Sequence, residues 1–96
     1  MNTNTVLVTF DLQHATAEGY RIARKLLNDA RLYSLDPSLK LGLPNTTFMG
    51  ELAAGVTAIQ LRDAVKQVFV EAGLKPTHVL ACKVDDWACF APIVGR

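Results

Sequence analysis

The chain has 96 residues, of which 50% are hydrophobic, 20% charged and 7% aromatic, with two cysteines and a formal net charge of +1. Apolar residues spread along its whole length exclude a disordered, collagen-like or mucin-like chain, and charges that interrupt every apolar stretch before about 18 residues exclude a membrane-spanning helix. Near-neutrality excludes a uniformly basic binder, so any contact with nucleic acid must come from local clustering of the ten Lys and Arg.

No repeat, low-complexity tract or linker divides the sequence, so residues 1–96 read as one small soluble domain. A core of this size buries only about two-thirds of the surface exposed by the unfolded chain, which makes pairing with a second copy attractive. The start Met1-Asn2-Thr3-Asn4-Thr5 lacks the basic region of a signal peptide, so a cytoplasmic location is expected.

Thr5-Val6-Leu7-Val8-Thr9-Phe10-Asp11-Leu12 is β-branched and almost continuously apolar, the pattern of a central strand buried on both faces. Alternation sends Val6, Val8 and Phe10 to one side and Leu7, Thr9 and Asp11 to the other. From Thr16 to Tyr33 the period becomes helical, with Ala23, Leu26, Leu27, Ala30 and Tyr33 as the apolar stripe and Arg21, Arg24, Lys25 and Arg31 as a basic ridge opposite. Asp36-Pro37 is the expected stop, because the residue before proline is steered out of helical geometry.

Two short strands are expected next, Leu39 to Leu43 and Thr46 to Leu52, with Pro44-Asn45 as the turn. Thr57 followed by Gln60 spells a capping box, and Leu61, Val65, Val68, Phe69 and Ala72 make the buried stripe of a second helix. Gly73 ends it in left-handed geometry, Leu74 gives the accompanying apolar contact, and Pro76 prevents a restart. Thr77 to Val84 is a strand by composition, followed by Asp85-Asp86 and a second apolar piece from Trp87 to Ala91.

This order is that of an α+β, ferredoxin-like βαββαβ sandwich, in which two helices cover one face of an antiparallel sheet and leave the other bare. The simplest cover for a bare face carrying Leu7 is a second copy packed about a two-fold axis. A tight hairpin at Asp85-Asp86 would set Val84 against Trp87, Lys83 against Ala88 and Cys82 against Cys89, within disulfide range. In a reducing compartment those thiols read as small buried apolar groups.

Val6-Leu7-Val8-Thr9-Phe10-Asp11-Leu12 resembles the first strand of the small CRISPR-associated adaptation nucleases and their relatives, the virulence-associated protein D ribonucleases and SinR-like proteins. The rest of the chain follows the same order, including a Thr-Thr-Phe-Met strand, the Val-Leu-Ala-Cys-Lys-Val strand and the aromatic Asp86-Trp87-Ala88 stretch. The resemblance implies a nucleic-acid-associated homodimer acting as a metal-dependent endoribonuclease or endonuclease. In it Asp11 lies near the dimer axis, so that two chains bring two carboxylates to one Mg²⁺, or Mn²⁺, beside a phosphodiester of RNA or DNA. In the alternative geometry it implies for the C-terminal segment, Trp87 to Pro92 crosses to the partner's sheet edge. Either arrangement buries Trp87.

Each candidate has a plainer reading. Asp11 also suits the start of the loop before the first helix, where aspartate bonds its own backbone. His14 suits acid–base work or a phosphate contact, yet a lone loop histidine most often does neither. Arg21, Arg24, Lys25 and Arg31 suit a phosphate backbone, while cations among Glu18 and Asp29 also describe a solvated helix face, and Tyr20 is a base-stacking candidate that equally suits the core. Asp85-Asp86 reads as a turn more readily than as a metal site. Cysteine and histidine spacing for zinc, a glycine-rich phosphate loop and a Gly-x-Ser-x-Gly elbow are all missing from the sequence. The rival function is a non-enzymatic dimerisation or small-ligand regulatory module on the same fold.

Overall fold

The computed structural model describes residues 2–14, 16–35, 42–43, 46–88 and 90. The elements run β1 (Thr3–Leu12), α1 (Ala17–Asp29), β2 (Thr47–Ala53), α2 (Ala58–Glu71) and β3 (Pro76–Lys83). The sheet has the order β2-β1-β3, with both neighbours antiparallel to β1. Where the second strand of a βαββαβ chain belongs, the described residues show two isolated antiparallel bridges, Tyr33 to Met49 and Leu35 to Gly42. Tyr33 and Met49 exchange both backbone hydrogen bonds at 2.8 Å, which places the first bridge on the outer edge of β2. The architecture is α+β and ferredoxin-like, with the order β1-α1-β2-α2-β3 rather than a full βαββαβ among the described residues. Most of the expected Leu39–Leu43 strand, the Pro44-Asn45 turn and the Asp36-Pro37 stop lie outside the described residues.

One core joins the layers. Val6, Val8, Phe10 and Leu12 of β1 and Phe48 of β2 pack with Ala23 and Leu27 of α1 and Leu61, Val65 and Phe69 of α2. Phe10 is its hub, lying edge-on to Phe69 at 4.9 Å between ring centres and stacked on Phe48 at 5.9 Å. Because both helices cover the even-numbered row of β1, the other row is not sealed as the sequence suggested: Thr5, Leu7 and Thr9 are half-buried and Asp11 is exposed. Cross-strand register sets Leu7 beside Met49 and Cys82, Thr9 beside Thr47 and Leu80, and Asp11 beside His78 on this open face.

Local chemistry fixes the helix ends. Thr16 accepts from Gly19 N at 3.0 Å at the start of α1. At α2 the expected box is complete, with Thr57 Oγ1 accepting from Gln60 N at 3.1 Å and Gln60 Oε1 accepting from Thr57 N at 2.9 Å. Gly73, at φ +83°, ends α2 in a Schellman motif in which Leu74 N donates to Phe69 O at 2.9 Å.

Helix α1 stops at Asp29, four residues before the expected Tyr33, for the same reason in disguise. Leu32 N donates to Leu27 O at 2.8 Å and Arg31 N to Asn28 O at 3.0 Å, a second Schellman motif with Arg31 in the left-handed position at φ +67°. Without a glycine the stop is invisible to a sequence pattern, and Tyr33 becomes a bridge residue rather than part of the helical stripe. A side chain in that conformation costs about 1–2 kcal/mol, partly offset in glycine by its larger unfolded entropy. Arg31→Gly is therefore expected to stabilise the fold by about 0.5–1 kcal/mol, read as a higher urea midpoint.

After β3, Val84 N donates to Thr5 O at 2.8 Å and the chain bends at Asp85 and Asp86. Trp87 and Ala88 join no strand, so the expected hairpin is not formed among the described residues. Trp87 is 39% exposed in the single chain. Cys82 is a free, half-buried thiol, and Cys89 lies outside the described residues. Among the described residues no helix is long and apolar enough to cross a membrane.

Candidate functional site

Asp11 stands at the C-terminal end of β1, on the open face of the sheet, where a register irregularity separates it from Leu12. Its cross-strand partner is His78 of β3, whose Nδ1 lies 3.8 Å from Asp11 Oδ2. That separation exceeds hydrogen-bond reach and is within ion-pair distance. Both side chains are largely exposed, and an exposed ion pair contributes at most about 1 kcal/mol, so the juxtaposition adds little to stability. Thr77 completes the corner: its hydroxyl donates to Asp11 O at 3.3 Å and sits 3.1 Å from His78 Nδ1.

Sequence reasoning singled out Asp11 and missed His78. Alternation along β3 puts His78 on the same face as Leu80 and Cys82, but only the β1–β3 register brings it beside an acid 67 positions earlier.

The basic ridge lies in a different layer. Arg21 hydrogen-bonds Glu18 through Nε at 3.0 and 3.1 Å and also through Nη2, and this pairing holds the Glu18 carboxyl below its usual range and the Arg21 guanidinium above its own. Lys25 is 3.3 Å from Asp29. Arg24 makes no ion pair among the described residues and lines a shallow recess with Phe10, Tyr20 and Phe48. Arg31 belongs to the helix-ending turn. Since α1 covers the even-numbered face of β1 and Asp11 belongs to the other row, the ridge and Asp11 do not form one site. Tyr20 packs on Phe10 at 6.2 Å between ring centres and serves the core edge rather than base stacking.

Two grooves flank the end of β1. One, of about 280 Å³, is lined by His14, Thr16, Gly19 and Lys75, with Gln13 N donating to Lys75 O at 2.7 Å across it. His14 is exposed there at φ +52°. The other, of about 290 Å³, lies between α2 and the start of β3 and includes Thr77 and His78.

A divalent ion of the Mg²⁺ type takes oxygen ligands, whereas an imidazole suits Mn²⁺ and later transition metals better. Among the described residues no three His, Cys, Asp or Glu side chains converge on one point. Among the described residues the donors gathered at this corner are therefore one carboxylate, Asp11, and one imidazole, His78. Asp85 and Asp86 are exposed in the bend after β3 and, among the described residues, gather no further ligand.

Compared with protein-family models, curated proteins and solved structures, the chain matches none.

Proposed function

We propose that the chain is a nucleic-acid-associated homodimer whose Asp11 and His78 act together on a phosphodiester bond, as the resemblance of its first strand to the small CRISPR-associated and virulence-associated protein D nucleases implies. The observation that carries this reading is the exposed carboxylate–imidazole pair at the end of the central strand. It sets a carboxylate beside an imidazole, the side chain most often used as general acid or base, on a surface open to a polymer. In this reading His78 moves the proton to or from a reacting oxygen, with the Asp11 carboxylate beside it. A second copy packed on the open face, over Leu7 and Leu80, would bring a second Asp11 carboxylate. Mg²⁺ or Mn²⁺ held between the two would neutralise charge on a phosphoryl oxygen.

The test incubates purified protein with labelled RNA and with duplex DNA, with Mg²⁺, with Mn²⁺ and with chelator. Asp11→Asn and His78→Ala are each expected to lower cleavage at least about 100-fold, the scale of a lost acid–base group. Cleavage that survives both substitutions refutes the assignment. If neither cleavage nor salt-sensitive binding occurs, the rival regulatory or dimerisation module is the better reading. A sedimentation run that gives a single subunit at working concentration removes the second carboxylate.

A further inference from the structure

We propose that the groove between α2 and the free edge of β3 holds the sugar-phosphate backbone of single-stranded nucleic acid and leads it past the Asp11–His78 pair. The inference rests on the phosphodiester reading of that pair and supplies the binding surface that the pair lacks. Arg62 and Lys66, one helical turn apart on the exposed face of α2, line the groove opposite Thr77 and His78. Lys66 makes no ion pair among the described residues. Arg62 is held by Asp63 through Nε at 3.0 Å and Nη2 at 2.9 Å, and a guanidinium with five N–H donors keeps others for a ligand. Asp63 also lines the groove, so its charge is mixed and its positive excess comes from Lys66.

The strand edge adds to these side chains. Among the described residues β3 pairs only with β1, so alternate backbone N–H groups along its other edge face outward and can donate to phosphate oxygens. Pro76 at the start of β3, together with the charges of Lys83 and Lys66 near the edge, works against the docking of another protein strand there. The recess between helix and strand edge admits a single strand, whereas the phosphates of a duplex lie on a convex cylinder. No aromatic ring lines it, so bases are not stacked and binding is sequence-tolerant and dominated by phosphate contacts. His78 lines the groove while its imidazole lies beside Asp11 on the open face of the sheet, so a bound strand must pass round the β3 edge to go from the groove to the pair.

The experiment follows fluorescence anisotropy of labelled single-stranded RNA, single-stranded DNA and duplex DNA, in chelator and in the Asp11→Asn background, so that binding is read apart from cleavage. Two to three phosphate contacts predict a slope of log Kobs against log salt of about −1.4 to −2. Lys66→Glu and Arg62→Glu are each expected to weaken single-strand binding about tenfold or more, and Lys66→Gln to flatten the slope by about 0.7, with unchanged circular dichroism because these side chains are exposed. Unchanged affinity in these variants overturns the groove, as does a loss confined to Arg21→Glu and Arg24→Glu, which would move binding to α1. Tighter binding of duplex than of single strand overturns the choice of ligand. Wild-type cleavage with unaltered binding in the groove variants removes the groove and keeps the Asp11–His78 pair. Groove-dependent binding without wild-type cleavage does the reverse.

Discussion

Gly50→Ala is expected to destabilise the fold by at least about 3 kcal/mol, although it adds a single methyl group. Gly50 is buried in β2 opposite Val6, and a Cβ there would be driven deep inside van der Waals contact with the carbonyl oxygen of Arg31, with Arg31 C and Leu32 Cδ2 at 3.2 Å. Overpacking a core costs about 1–3 kcal/mol when a flexible side chain can yield. Here the obstacle is backbone, and it is pinned from both sides: Leu32 N is bonded to Leu27 O at 2.8 Å, and Tyr33 is bridged to Met49. Relief requires opening the end of α1 or breaking the bridge, so the cost lies at or above the top of that range. Gly55→Ala is the control, since a Cβ there meets nothing within 4 Å, and it is expected to stay within about 0.5 kcal/mol. Urea midpoints for the two variants check the prediction, and similar midpoints would contradict the close approach. By heat, the same loss corresponds to a fall in Tm of about 12 °C or more for a domain of this size.

The second large effect is expected at Phe69. Its ring is fully buried, meets Phe10 edge-on and packs in the core that joins both helices to the sheet. Phe69→Ala removes that volume from a core with few alternative rotamers to fill it, at an expected 3–5 kcal/mol, whereas Phe69→Leu keeps most of the volume and is expected to cost less than about 1.5 kcal/mol. Together the two variants separate cavity from aromatic geometry. A loss below about 1 kcal/mol for the alanine variant would show that the two layers are not sealed by this contact. Against a typical net stability of 5–15 kcal/mol, either this substitution or Gly50→Ala removes a large share of what keeps the chain folded.

The elements that could be read without a structure are those whose signals are local. The capping box at Thr57 and Gln60 and the Gly73-Leu74 stop define α2 from residues within a few positions of one another, and alternation along β1 assigned Val6, Val8 and Phe10 to the core. The end of α1 was misplaced because Arg31 occupies a left-handed position that glycine ordinarily marks, so continuing apolar spacing carried the helical reading on to Tyr33. The hairpin expected after Asp85-Asp86 is not seen at Trp87 and Ala88, because a hairpin needs pairing that alternation alone does not supply. At the candidate site Asp11 was visible as the acid ending an apolar strand, whereas His78 and the Lys66 side of the groove depend on register and on helix–strand packing. The ridge on α1 was legible as charge, and Glu18 and Asp29 among it already described the solvated helix face on which they pair with Arg21 and Lys25.

The central place of β1 also bears on how the protein is made. Both of its neighbours lie far downstream, since Leu7 pairs with Met49 on one side and with Cys82 on the other. β1 is thus synthesised well before either of its partners, and its apolar row of Val6, Val8 and Phe10 waits with only α1 following closely enough to shield it. Assembly of the sheet is accordingly a late, collective event, and a nascent chain halted before β3 would present the greasiest stretch of the molecule to chaperones.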